Sequence, residues 1–159
     1  MFAAALMATG CGLDPGENVN DPPPPPPPAS AKQQGSSFAK INQTLQGGCA
    51  FSVCHSPHGM ASSGGLDLSQ DVWLSVINVP VHNAKAKAQG MALIKPCDPE
   101  HSLLYIKLAL PKDDPDYGAR MPASNDPMSA EDLKRIHDWI ARGALLSEPE
   151  SATGTVCKY

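Results

Sequence analysis

Seven consecutive prolines, Pro22–Pro28, decide first what this chain cannot fold into. Each ring fixes φ and removes a backbone donor, so the run can enter neither a helix interior nor the middle of a sheet. It favours an extended polyproline helix of about 3.1 Å per residue, a spacer of about 20 Å. With the polar, Pro-rich residues on either side, the stretch 12–35 reads as a disordered linker. The foldable part lies beyond it, in a single domain over residues 36–146 followed by a tail, 147–159. A domain of about a hundred residues has a thin core and commonly leans on a cofactor or on crosslinks.

The apolar pattern of that part is helical. Ser36 or Ser37 caps a first helix carrying Phe38, Ile41 and Leu45 on one face, and Gly47-Gly48 ends it. Leu66-Asp67-Leu68 re-enters the core, and Ser69 caps a short helix with Val72, Trp73, Val76 and Ile77 that Pro80 stops. Val81 to Lys95, rich in Ala and Lys, reads as a surface loop. Asp98 as N-cap, Pro99 at the first helical position and Glu100 in the first turn open the next helix, which buries Leu104 and Leu108 and ends at Pro111. After a polar loop from Lys112 to Pro127, Ser129-Ala130-Glu131-Asp132 resembles a capping box. It opens a helix with Leu133, Ile136, Trp139 and Ile140 on one face and Gly143 as C-cap. No alternating strand pattern competes, so the fold class is all-α.

Chemistry concentrates in Cys49-Ala50-Phe51-Ser52-Val53-Cys54-His55. Two thiols with a histidine directly after the second read as c-type haem attachment: the thiols add across two vinyl groups, and the imidazole ligates the iron. The common spacing has two residues between the cysteines, whereas this one has four and forces the loop to bulge. Zinc held by Cys49, Cys54, His55 and His58 is a second reading. It fits poorly, because adjacent Cys54 and His55 reach one tetrahedral centre with difficulty and structural zinc sites usually separate their ligand pairs. A Cys49–Cys54 disulfide without metal is a third.

A haem held by His55 needs a ligand on its other face, or leaves that face open for small molecules. Met121 is favoured: Pro122 keeps Met121 out of helix, so the side chain can project from a loop. Met128 is the runner-up, Met60 is too near His55, and Met91 lies in the ambiguous segment. His58, His82, His101 and His137 read as structural or exposed.

The five cysteines partition as one, two and two. Cys11 closes the short apolar run 1–11, which resembles the end of a bacterial lipoprotein signal and would make Cys11 the lipidated residue, although a positively charged start is missing. By analogy with enteric bacteria, Gly12 rather than Asp after it would leave the protein free to reach the outer membrane. Cys97 and Cys157 remain as a pair whose disulfide would tie the tail to the turn before a helix, stabilising by about 3–4 kcal/mol. Net charge is −4, with 12 basic and 16 acidic residues and no basic run, so nucleic-acid binding has no electrostatic support.

In order along the chain, Cys54-His55, Gly64-Gly65-Leu66-Asp67-Leu68, Pro99-Glu100-His101-Ser102-Leu103-Leu104-Tyr105, Arg120-Met121-Pro122 and Trp139-Ile140-Ala141-Arg142-Gly143-Ala144 resemble the planctomycete-type cytochrome c-like domains, which also occur in exported proteins of myxobacteria. The resemblance implies a small helical domain around one covalent haem c, with thioethers from Cys49 and Cys54 and axial ligands His55 and Met121. It implies a single-electron carrier rather than a catalyst, lipid-anchored in the bacterial envelope, facing the periplasm and docking transiently on redox proteins. The chain departs from the family in the four-residue spacing and in Cys97, which stands where glycine is frequent. Two other functions compete. One is a haem-free, disulfide-stabilised interaction module; the other is a haem protein with an open sixth position and peroxidase-like or gas-binding activity.

Overall fold

Phe38, Ile41 and Leu45 bury one face of the first helix, α1 (Ser37–Cys49), in a computed structural model that describes residues 37–51, 53–59, 64–123, 126–147, 156 and 157. Helices α2 (Val72–Val76), α3 (Ala84–Ala88), α4 (Leu103–Ala109) and α5 (Ala130–Ala141) follow, with a 3-10 turn at Pro99–His101. Pairing of extended backbone among the described residues is limited to isolated bridges, so this part is all-α. The signal-like segment 1–11 with Cys11, the linker 12–35 and Met60 lie outside the described residues, as does most of the tail 147–159. Among the described residues no helix is long and apolar enough to cross a membrane.

The core is the contact of α1 and α4 with α5. Phe38 stacks on Trp139 with ring centroids 5.4 Å apart, and Ile41, Leu45, Leu108, Ile136 and Ile140 close around them. Both tryptophan N–H groups find acceptors just beyond α5: Trp139 donates to the Leu145 carbonyl at 2.9 Å, and Trp73 to that of Ala144 at 2.8 Å. The last helix begins and ends as its sequence indicates. Ser129 Oγ accepts from the Asp132 N–H at 3.0 Å and donates to its carboxylate at 2.7 Å, and Gly143 takes the left-handed conformation at φ 110°.

Four local expectations are corrected. Gly47-Gly48 does not end α1, which continues to Cys49. Cys49 prolongs the stripe one turn past Leu45 and is buried, and that burial outweighs the roughly 1 kcal/mol each glycine costs a helix. Asp71, not Ser69, caps α2 by accepting from the Leu74 N–H at 3.2 Å, while Ser69 is taken by Asp67. Residues 81–95 are not a surface loop: Val81 and Ala86 bury with Leu103 in a second small cluster, Ile94 joins the main core, and Asn83 caps α3.

The fourth correction is the helix expected from Asp98. Asp98 does accept from the His101 N–H, but only a 3-10 turn follows, and Ser102 is extended before α4 starts at Leu103. The cause is the wholly buried Ser102 hydroxyl, which accepts from Lys95 N at 2.9 Å and donates to Asp98 O at 2.8 Å, while Leu103 N donates to Ala92 O at 2.9 Å. These tertiary bonds replace the helical ones. Ser102→Ala should therefore lower stability by about 1–3 kcal/mol, the cost of stranding buried polar groups. Urea unfolding checks it: a reduced midpoint at constant slope is expected.

Cys97 and Cys157 form the expected disulfide, with Cα atoms 5.7 Å apart. Cys97 N also donates to Ile140 O at 2.8 Å, so the turn before α4, the end of α5 and the tail meet at one point. Cys97 sits in the left-handed region at φ 68°, which explains why glycine suits that position.

Candidate functional site

Cys49, on the last turn of α1, begins a loop that returns to it. His55 N donates to Cys49 O at 3.1 Å, Cys54 N to Phe51 O at 2.9 Å, and Leu68 N to His55 O at 2.9 Å. The two additional residues are thus absorbed by a closed loop whose apolar side chains, Phe51 and Val53, point to solvent at 54% and 76% exposure. Within the Ser56–Gly59 turn, Gly59 lies directly against the Cys54 backbone.

His55 is half-buried, and its Nδ1 lies 3.3 Å from the Leu66 carbonyl oxygen. That oxygen only accepts, so Nδ1 carries the proton and the lone pair is left on Nε2. Burial lowers the histidine pKa, the Leu66 bond opposes this, and the nearby Lys107 charge lowers it further; the net shift is down. His55 is therefore neutral at pH 7, the form that coordinates a metal.

Beside His55 opens a cavity of about 560 Å³ with Leu45, Leu68, Leu104 and Leu108 among its walls. Its size falls in the range of about 300–1,000 Å³ typical of small-molecule and cofactor sites. Cys49 and Met121 also line it. Met121 is half-buried in the loop after α4, packed against the main core, and its N–H donates to Lys107 O at 2.9 Å. Met128 packs on the main core and Met91 on the second cluster, and neither lines this cavity. His55 and Met121, distant in sequence, thus share one apolar chamber.

Comparison with protein-family models, with curated proteins and with solved structures returns no match. The chemistry of the cavity therefore rests on its own donors. Cys49 and Cys54 are free thiols, so the disulfide reading of that pair does not describe this structure. Burial first, and then the neighbouring Cys54, raise the Cys49 pKa, which keeps the group a neutral thiol rather than a thiolate. For the zinc reading, no three His, Cys, Asp or Glu side chains come together to hold a metal among the described residues, and His58 is exposed.

Of the other histidines, His101 and His137 do not line the cavity, whereas His82 does. His101 Nδ1 bonds the Asp98 carboxylate at 2.9 Å; His137 contacts Asp138 and packs edge-on to Tyr105; His82 is exposed at the cavity rim. One lining residue escapes a motif reading altogether. Lys107 sits one turn beyond Leu104 and next to Leu108, on the buried side of α4, and a lysine inside such a stripe was the signal available.

Proposed function

We propose that this chain is a c-type cytochrome that carries single electrons. The observation that supports it most is the meeting of His55, Cys49 and Met121 on the walls of one apolar cavity. A haem asks for an apolar cavity, a neutral imidazole with Nε2 free, a sulfur donor and two nearby thiols; His55, Met121 and Cys49 line the cavity, and Cys54 stands directly before His55 in the chain without lining it. Cys49 and Cys54 would hold the haem covalently, and His55 and Met121 would ligate its iron. The Leu66 carbonyl orients the His55 ring, as the outer partner of a metal-bound histidine commonly does. Lys107 O holds the Met121 loop in place. Bound there, the haem supplies a one-electron couple, with a potential raised by mixed His/Met ligation. The leucine walls exclude water from it.

A haem-free module would leave these leucine walls without an apolar occupant, and an open sixth position would leave the Met121 sulfur unused. Export through the segment 1–11, lipidation at Cys11 and anchoring at the outer membrane, with the linker 12–35 holding the domain off the surface, complete the proposal. Its partners would be redox proteins that dock transiently.

The test is a reduced-minus-oxidised pyridine haemochrome spectrum of the full chain, made with its export signal and haem-attachment machinery. A c-type α-band, with haem retained on a denaturing gel, is expected; a colourless protein would overturn the reading. Met121→Ala should move the visible spectrum from low spin toward high spin and lower the midpoint potential, while Met128→Ala leaves both unchanged. Unaltered properties in Met121→Ala would remove Met121 from the iron.

A further inference from the structure

Two charged side chains that the haem reading leaves unused line the cavity: Asp67, whose carboxylate accepts from Ser69 N and Oγ, and Lys107. Lys107 lines the cavity beside Leu104 and Leu108 and is half-buried as a whole. Nζ donates to the Tyr117 carbonyl oxygen at 2.8 Å. Lys85, Lys95, Lys134 and Arg135 each reach a carboxylate, but among the described residues no carboxylate pairs with Lys107. Asp113 acts on it only through charge at longer range. An ammonium has three donors, and one neutral acceptor leaves it short of partners in a place where a buried charge is costly.

The segment presenting that acceptor is braced. Tyr117 N donates to Asp114 Oδ1 at 3.0 Å, the Tyr117 hydroxyl to Gln89 Oε1 at 2.6 Å, and Asn83 Nδ2 to Asp116 O at 2.9 Å. The side chain of any residue replacing Gly118 would begin 3.8 Å from the ammonium, and glycine keeps that approach clear. Desolvation lowers the Lys107 pKa, which Asp113 only partly offsets.

We propose that Lys107 is the anion-recognising group of this cavity and binds a carboxylate carried on the edge of its apolar occupant. Resting on the haem reading above, that carboxylate is a porphyrin propionate. Lys107 then fixes which edge of the macrocycle faces the turn at Tyr117, and it selects porphyrins with free acid groups.

The test uses the full chain made without attachment machinery, titrated from detergent with haemin and with haemin dimethyl ester, whose carboxylates are blocked. The parent should bind haemin more tightly by about tenfold, or about 1.4 kcal/mol. Lys107→Gln should abolish the preference and Lys107→Arg restore it, with far-UV circular dichroism confirming equal helix content. Equal binding of acid and ester by the parent would overturn the role of Lys107 and leave the haem site standing, as would a preference that survives in Lys107→Gln. Failure of the parent to bind either compound would overturn the haem site itself, and the propionate assignment with it.

Discussion

Gly59→Ala is expected to disable the loop that carries Cys54 and His55, at a cost above the roughly 1–3 kcal/mol of ordinary overpacking. A Cβ at this position would overlap the Cys54 carbonyl oxygen and lie 2.7 Å from the Cys54 nitrogen and carbonyl carbon. A crowded side chain can rotate away, but these are backbone atoms. Relief therefore requires the Ser56–Gly59 turn to open, which pulls on the bonds from Cys54 N to Phe51 O and from His55 N to Cys49 O. The second thiol and the imidazole would leave their places together. Thermal unfolding followed by circular dichroism should show the loss, and haem staining after expression with attachment machinery should show little covalent haem. Gly47→Ala is the matched control. Gly47 is exposed and helical, and a methyl group added there would meet nothing within 4 Å, so alanine should stabilise by about 0.5–1 kcal/mol. The same chemical change thus has opposite signs at two glycines twelve residues apart. A Gly59→Ala protein as stable as its parent would show that the turn is dispensable.

What the sequence made legible follows from where the deciding forces act. The stripe of Phe38, Ile41 and Leu45, the Ser129 cap and the Gly143 terminus are set by neighbours within one or two turns, and the chain itself displays them. The loop position of Met121 was legible for the same reason, because Pro122 acts on the residue beside it. Ser102 was not legible. Its hydroxyl is captured by Lys95 and Asp98 only once residues 92–102 have folded back, and the same contact splits the helix that Asp98 and Pro99 announce. The five residues of α3 span too few turns to display a period, and its single buried residue, Ala86, looks like surface composition. The extension of α1 to Cys49 was hidden by two glycines whose cost is met by tertiary burial. For the cavity, the donors Cys49, His55 and Met121 could be named one by one, but their convergence on leucine walls and the presence of Lys107 among them belong to the packing.

Removing the Cys97–Cys157 bond should cost about 4 kcal/mol in the chain-entropy model. The estimate follows from the sequence separation of 60 residues that it closes. The replacement chosen for Cys97 should change that figure. At φ 68° any residue but glycine carries a penalty of about 1–2 kcal/mol. Cys97→Ala with Cys157→Ala should therefore show the full loss. Cys97→Gly with Cys157→Ala should regain about 1 kcal/mol of it, less than the whole penalty because glycine loses more freedom on folding. Urea midpoints in oxidising and reducing buffer provide the check: the parent should fall toward the double variants when reduced, and the variants should not respond to reductant. Equal midpoints for the alanine and glycine pairs would show that the backbone at position 97 is unstrained. The domain tolerates that conformation because the bond joins three elements at one point, with Cys97 N also held by Ile140 O at the end of α5. It fastens the turn that leads into α4, and α4 supplies Leu104, Lys107 and Leu108 to the cavity. Loss of the bond should thus loosen the part of the cavity wall that α4 supplies, so the haemin binding proposed above should weaken along with stability.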